Sequence, residues 1–261
     1  MDNLQTIPKV VIKDHISVST KTVKIYPLHW HEYFEIEIIT KGKGTNILNG
    51  NKYEISAGCG YLLKPTDYHE VKCDEEIELH SVIFRETMLN ETMLLNILHS
   101  ESRKSKCFTS KEFEALLLAI ELLKNENERS GEYKRQLLEY IVHFFVEKQE
   151  NKLNPQQISG INKALLYLEV HFREPLSLSM LAKEAGFNSS YFSEIFKQST
   201  GETYTQKLNN LRLEYACTLL TNKYPVSYAC FESGFGSLSN FFTAFKKKYG
   251  INPSEYVKLR G

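Results

Sequence analysis

The segment His29-Trp30-His31-Glu32-Tyr33-Phe34-Glu35, followed by Gly42, sets imidazoles and carboxylates at alternating positions of one short stretch. Read as a strand, positions 29, 31 and 35 share a face, so the three groups converge. Gly60, Pro65 and His69 follow one strand pair later and add a third imidazole. Three imidazoles and a carboxylate inside a sheet suit zinc, manganese or iron, or they grip the polar groups of an organic ligand. Trp30, Tyr33, Phe34, Tyr61 and Tyr68 offer flat surfaces for a sugar or aromatic ring, and strand alternation sends some of them outward. His15, His80, His99, His143 and His171 have no such companions and read as ordinary surface or core residues.

A second kind of chemistry lies near the other end. Ala182 to Gly201 (AKEAGFNSSYFSEIFKQSTG) repeats as Cys230 to Gly250 (CFESGFGSLSNFFTAFKKKYG), with matching positions 48 to 49 residues apart. Each copy has a small residue (Ala182, Cys230), a glycine four residues on (Gly186, Gly234) and Phe-Lys near its end (Phe196-Lys197, Phe245-Lys246). A small residue lets two helices cross closely and a glycine allows the tight turn between them, which is helix-turn-helix construction. Ser189 and Ser190, and Ser237 and Ser239, fall where each second helix begins, and serine is a favoured N-cap. That end of a recognition helix meets base edges in the major groove of double-stranded DNA.

The elements that position these groups differ between the halves. From about Val10 to Phe84 the chain is short-period and β-branched, with turns at Lys41 to Gly44, Asn49 to Asn51 and Lys64 to Asp67. After Arg85 the apolar spacing becomes helical, as in Phe113, Leu116, Leu117, Ile120 and Leu123 and again in Leu137, Leu138, Ile141, Phe144 and Phe145, with a polar break near Asn125 to Gly131. Glu147 to Gln157 is polar, carries Pro155 and reads as a linker. Thr203 to Thr221 reads as one helix, with Leu208, Leu211, Tyr215, Leu219 and Leu220 on its apolar face. Such a connector can hold two recognition helices roughly one DNA turn, about 34 Å, apart. The expected architecture is two-domain α+β: an amino-terminal all-β unit of hairpin-linked strands with flanking amphipathic helices over residues 1–150, which the resemblance given below implies is a cupin-like β-barrel, and an all-α double helix-turn-helix domain over 158–261.

Composition supports this division. The 32 Lys+Arg balance 32 Asp+Glu, yet residues 156–261 hold 12 basic against 8 acidic side chains, leaving 20 against 24 before them. A basic half suits phosphate neutralisation. The five cysteines (Cys59, Cys73, Cys107, Cys217, Cys230) are odd in number and without a CxxC pair, so free thiols are expected. No signal-like or membrane-spanning apolar run is present, and a cytoplasmic protein is expected.

Residues 158–260 resemble the DNA-binding domain of the AraC/XylS family of regulators, through Leu176-Ser177-Leu178, Leu181-Ala182, Ala185-Gly186-Phe187, Tyr191-Phe192, Phe196-Lys197, Gly201, Leu211-Arg212, Ala216, Leu219-Leu220, Gly234-Phe235, Phe241, Phe245-Lys246, Gly250, Pro253 and Tyr256. The resemblance implies base readers at Ser190, Ser193 and Glu194 in the first copy, with Ser189 in the DNA-binding set at the start of that helix, and at Leu238, Ser239, Asn240 and Thr243 in the second, with phosphate contacts from Lys197, Arg212, Lys246 and Lys247. Glu194 can accept from cytosine, Asn240 can pair with adenine and Leu238 can touch a thymine methyl. The histidine-rich segment is similar to the two motifs of cupin barrels, the sensor of many such regulators, over about residues 15–85. The second motif departs from metal cupins: its Pro65 to His69 spacing is one residue short and Asp67 stands where glycine is usual.

That departure favours effector-gripping roles for His29, Trp30, His31, Glu35, Tyr61 and His69, with no metal, no cofactor and no catalytic residue expected. The function implied is a regulator, expected to be an activator answering to a sugar, working as a homodimer and partnering RNA polymerase, away from membranes. A metal-dependent cupin enzyme fused to a DNA-binding domain, and a DNA-binding protein whose barrel only dimerises, are the alternatives.

Overall fold

The computed structural model describes residues 9–10, 15–65, 67–99, 106–125, 131–146 and 153–260. The chain divides into two compact units, Met1–Glu150 and Asn151–Gly261. In the first, the strands are β1 (Lys9–Val10), β2 (Ile16–His31), β3 (Phe34–Lys41), β4 (Lys43–Leu48), β5 (Asn51–Ser56), β6 (Cys59–Leu63), β7 (His69–Phe84) and β8 (Lys106–Cys107). They form one curled sheet in the order β1-β2-β7-β3-β6-β8, with β4 pairing both β5 and β7. Every ladder is antiparallel except β1 with β2. The result is a half-barrel. Strand β7 organises it, because its length lets it pair β2 along one side and both β3 and β4 along the other.

Local sequence explains the turns. Asn49 and Gly50 both have positive φ (48° and 78°), the pairing a two-residue hairpin requires and Asn-Gly best supplies. Inside the curl, Val23, Ile39, Leu48, Ile55, Leu63, Val71, Ile77 and Leu79 pack as one apolar core with Tyr61. Helices α1 (Glu91–His99), α2 (Ser110–Asn125) and α3 (Gly131–Val142) follow, burying Leu116, Ala119, Ile120, Leu123, Leu138, Ile141 and Val142.

The second unit is entirely helical: α4 (Pro155–His171), α5 (Leu178–Glu184), α6 (Ser189–Thr200), α7 (Tyr204–Thr221), α8 (Val226–Glu232), α9 (Leu238–Tyr249) and α10 (Pro253–Arg260). The sequence repeat is a structural repeat down to single bonds. The Phe187 amide donates to the Ala182 carbonyl at 2.8 Å, and the Phe235 amide to the Cys230 carbonyl at 3.2 Å. Gly234 has φ +87°, and a Cβ there would lie 2.6 Å from the Arg173 carbonyl oxygen, so both conformation and space demand glycine. Phe192, Phe196, Phe241 and Phe245 are fully buried, each contributing about 1.5–3 kcal/mol by leaving water.

Three expectations are corrected. Cys59 and Cys107 are not free thiols: they face each other across the β6–β8 register and form a disulfide, while Cys73, Cys217 and Cys230 are free. The polar linker ends sooner than its composition suggests. Residues 147–152 lie outside the described residues, but Asn154 and Gln157 form a capping box and Pro155 opens α4, where its missing N–H costs nothing. Finally, Asn188 caps α6 in place of Ser189 or Ser190, accepting from the Tyr191 amide at 3.0 Å, whereas Ser237 does cap α9.

The bond between Cys59 and Cys107 closes a loop of 48 residues in sequence. Reducing it should therefore lower the stability of the first unit by about 2–4 kcal/mol. Thermal melts with and without dithiothreitol check this: the parent should lose stability and Cys107→Ser should not respond to the reductant.

Candidate effector site and nucleic-acid interface

The histidine segment is not one strand. Strand β2 stops at His31 and β3 begins at Phe34, so Glu35 joins the imidazoles from a separate strand instead of by alternation. Pairing with β7 brings them together. The β2–β7 register shifts between Tyr26 and His29, at Pro27, and such an irregularity re-aims the next side chain. His29 thereby comes opposite His69. The turn before β7 is pinned by Asp67, which accepts from the Lys64 amide and from Asn49 Nδ2, each at 2.8 Å. The residue that stands where the second motif usually has glycine thus holds the turn that delivers His69.

The three imidazoles are buried, with ring centroids 4.0 Å apart for His29 and His69, 5.4 Å for His31 and His69 and 6.2 Å for His29 and His31. His31 Nδ1 donates to the Tyr33 carbonyl at 2.9 Å, and its ring stacks on Tyr33 at 4.1 Å. His31 Nε2 stands 3.2 Å from Glu35 Oε2. Glu35 Oε1 accepts from Ser81 Oγ at 2.5 Å and Lys21 Nζ at 3.3 Å. One step along β3, Glu37 is also buried and accepts the Tyr61 hydroxyl. The cluster therefore gathers His29, His31, Glu35, Tyr61 and His69 from the expected set and adds Lys21, Glu37 and Ser81. Glu37 shares the parity of Glu35 and was readable; Lys21 and Ser81 come from strand register alone. Trp30 has the opposite parity to His29 and His31, and its ring lies 6.0 Å from that of Tyr68.

Burial drives the electrostatics. It pushes His29 down to about 4 and His69 well below its ordinary range, the latter helped by the neighbouring imidazoles. Burial alone would raise Glu35, but the His31 hydrogen bond, with His31, Lys21 and His69 around it, holds the carboxyl well below the usual range. Glu37 goes the other way, to about 7, through burial and the adjacent Glu35 charge.

In the second unit, Ser190, Ser193, Glu194 and Lys197 are exposed on α6, as are Leu238, Ser239, Asn240, Thr243, Lys246 and Lys247 on α9, and Ser189 is half-buried. Arg212 is half-buried on α7. Its guanidinium donates to the Phe172 carbonyl at 2.7 Å and the Glu174 carbonyl at 2.8 Å, tying α7 to the end of α4.

An AraC-like ligand binding domain matches residues 19–140, and a helix-turn-helix domain matches residues 181–259. The chain belongs to the AraC family. It is a DNA-binding transcription regulator with a ligand-binding domain, and the matched relatives are regulators, not enzymes. The HTH-type transcriptional activator RhaS of Escherichia fergusonii is 26% identical over 246 residues, 88% of this chain and 87% of the relative. The activator RhaR of Mannheimia succiniciproducens is 26% identical over 240 residues with the same coverage. Among solved structures, ToxT of Vibrio cholerae with bound unsaturated fatty acid spans 94% of this regulator and 97% of its own chain, at 16% identity and a TM-score of 0.42.

Glu37 sets a pH signature. Its carboxyl holds a proton more tightly folded (about 7) than at its ordinary 4.5, so the folded state binds more protons across that window and loses stability as pH rises through it. In metal-free buffer, Glu37→Gln should gain melting temperature over the parent, and the gain should be larger at pH 8 than at pH 5. An equal difference at both values would show that Glu37 ionises normally.

Proposed function

We propose that this regulator is a cytoplasmic transcription activator whose half-barrel cluster binds a sugar and whose α6 and α9 read its operator. The observation that carries the reading is the polar cluster itself, a packed set of hydrogen-bonding groups buried in the unit that matches a ligand-binding domain. Alternating donors and acceptors beside an aromatic ring, here Tyr33, are what a polyhydroxylated ligand needs for orientation and stacking. His29, His31, Glu35, Tyr61 and His69 carry the grip, joined by Glu37 and Ser81. Trp30 contributes from outside the cluster, through its packing near Tyr68. The activator reading rests on relatives that are named as activators over nearly the whole chain.

Residues 1–150 then serve effector binding and dimerisation, and 158–261 serve DNA. On α2, Leu118 and Leu122 are 59% and 39% exposed one helical turn apart, and Tyr140 on α3 is 46% exposed. Apolar side chains at that spacing on one face suit pairing with a second copy of this chain. Base reading falls to Ser190, Ser193 and Glu194 and to Leu238, Ser239, Asn240 and Thr243, with Ser189 at the first helix start. Lys197, Lys246 and Lys247 take phosphates. RNA polymerase is the partner that an activator bound beside a promoter engages.

The test is a promoter reporter and gel shift with and without candidate sugars. Glu35→Gln and His31→Ala should blunt the sugar response while DNA affinity without sugar stays at the parent level. Asn240→Ala should do the reverse, weakening the operator by about 1–3 kcal/mol at one base position. Light scattering of the same samples should give a dimer. A full sugar response in both cluster variants would leave the half-barrel as a dimerisation module only.

A further inference from the structure

We propose that Cys59 and Cys107 are a reversible thiol–disulfide couple, which exchanges with small-molecule disulfides and thereby clamps α2 to the edge of the half-barrel or releases it.

Three observations carry the proposal, and the first is accessibility. The bond joins a buried sulfur to a surface one, since Cys59 is 2% exposed and Cys107 lies in the open. Disulfides form and break by thiolate attack on an accessible sulfur, and exposed bonds are the labile ones. Exchange therefore starts at Cys107. Its thiolate attacks one sulfur of the small disulfide and expels that molecule's other half as a thiolate. The Cys59 thiolate then attacks Cys107 Sγ in the mixed disulfide and expels the second half. Two protein thiols and one small disulfide become one protein disulfide and two small thiols, with two electrons passed to the small molecule. Reduction runs the same steps backwards, and the Ser56 hydroxyl, 3.4 Å from Cys59 Sγ, can donate to that sulfur as it leaves.

The second observation is how little else fastens β8. Among the described residues its ladder to β6 consists of the pairs Cys59–Cys107 and Gly60–Lys106, extended by the Phe108 amide donating to the Gly58 carbonyl at 3.0 Å. An edge strand that short has little stability of its own once the cross-link is opened.

The third is the lack of slack between the bond and the helices. Thr109 caps α2: its Oγ1 accepts from the Glu112 amide at 3.3 Å, and Glu112 Oε2 accepts from the Thr109 amide at 2.8 Å. Phe108 alone separates that cap from Cys107. Its ring packs over Gly60, where a Cβ would fall 3.3 Å away, and meets Phe144 and Phe145 edge-on. Lys106 Nζ donates to the Phe144 carbonyl at 2.5 Å. One covalent bond thus fastens both the start of α2 and the chain just after α3 to β6. In the cytoplasm proposed above, a lasting structural disulfide is rare and a bonded pair is usually catalytic or redox-sensing. Because α2 bears Leu118 and Leu122, the couple also acts on pairing of two chains, and this consequence alone rests on the dimer reading above.

The test equilibrates the full-length chain with glutathione and glutathione disulfide at a series of ratios, quenches with acid and tags free thiols for mass spectrometry. Three tagged cysteines in the disulfide-rich mixtures should become five in the thiol-rich ones. Cys59→Ser should trap a glutathione adduct on Cys107, whereas Cys107→Ser should carry none on Cys59. Amide hydrogen exchange over residues 106–125 should be faster in the reduced parent while the β2–β7 ladder keeps its protection. Circular dichroism identifies a variant that fails to fold, and the titration and exchange of the parent then carry the comparison. A bond that survives in reduced glutathione alone, an adduct absent from Cys107 in folded Cys59→Ser, or equal exchange in the two redox states overturns the proposal. Light scattering tests the consequence: a weaker dimer in reduced protein supports it, and equal dimers beside faster exchange remove the link to pairing and keep the couple.

Discussion

A carboxylate stays ionised inside a protein only where donors and positive charge surround it, and the first unit is arranged around meeting that condition for Glu35. The four groups that hold it ionised come from two other strands, Lys21 and His31 from β2 and Ser81 and His69 from β7, while Glu35 itself lies on β3. None of these is adjacent to Glu35 in sequence. The cluster exists because β7 pairs with both β2 and β3, so any slip in that register would strand a buried charge. The same demand explains why Glu37, one position away on the same face, is driven toward its neutral form: the enclosure supports one negative charge and resists a second.

The DNA-binding unit obeys a different constraint, the close crossing of helices. Ala182 and Cys230 are fully buried where each pair of short helices meets, and the turn bonds that follow are the same in both copies. With Phe192, Phe196, Phe241 and Phe245 taken up inside, the opposite faces of α6 and α9 carry the exposed polar and basic side chains. Packing thereby leaves the reading surface free, and α7 with its long buried face is the connector between the copies.

Much of this was legible in the sequence, for physical reasons. The repeat announced itself because each copy needs a small residue, a glycine and a phenylalanine at fixed spacing, and those requirements are local. The extent of α7 was readable from apolar period for the same reason. What depended on pairing between distant strands was not. Cys59 and Cys107 become partners only through the β6–β8 register, and Lys21 and Ser81 reach Glu35 only through the two β7 ladders. The alternation argument placed Glu35 correctly by the wrong route, since the bend after His31 interrupts the strand it assumed. The links from Arg212 to the carbonyls at the end of α4 were likewise hidden, because the sequence displays its charge and not those carbonyls.

The central claim, that this chain regulates by gripping DNA through α6 and α9, is tested most directly by titrating the full-length protein onto its own upstream duplex by fluorescence anisotropy at several salt concentrations. Three exposed lysines on the phosphates predict a log–log slope of about −3 per chain, with unrelated duplex competing poorly. Affinity that ignores salt, or no binding to any segment upstream of the gene, would contradict it.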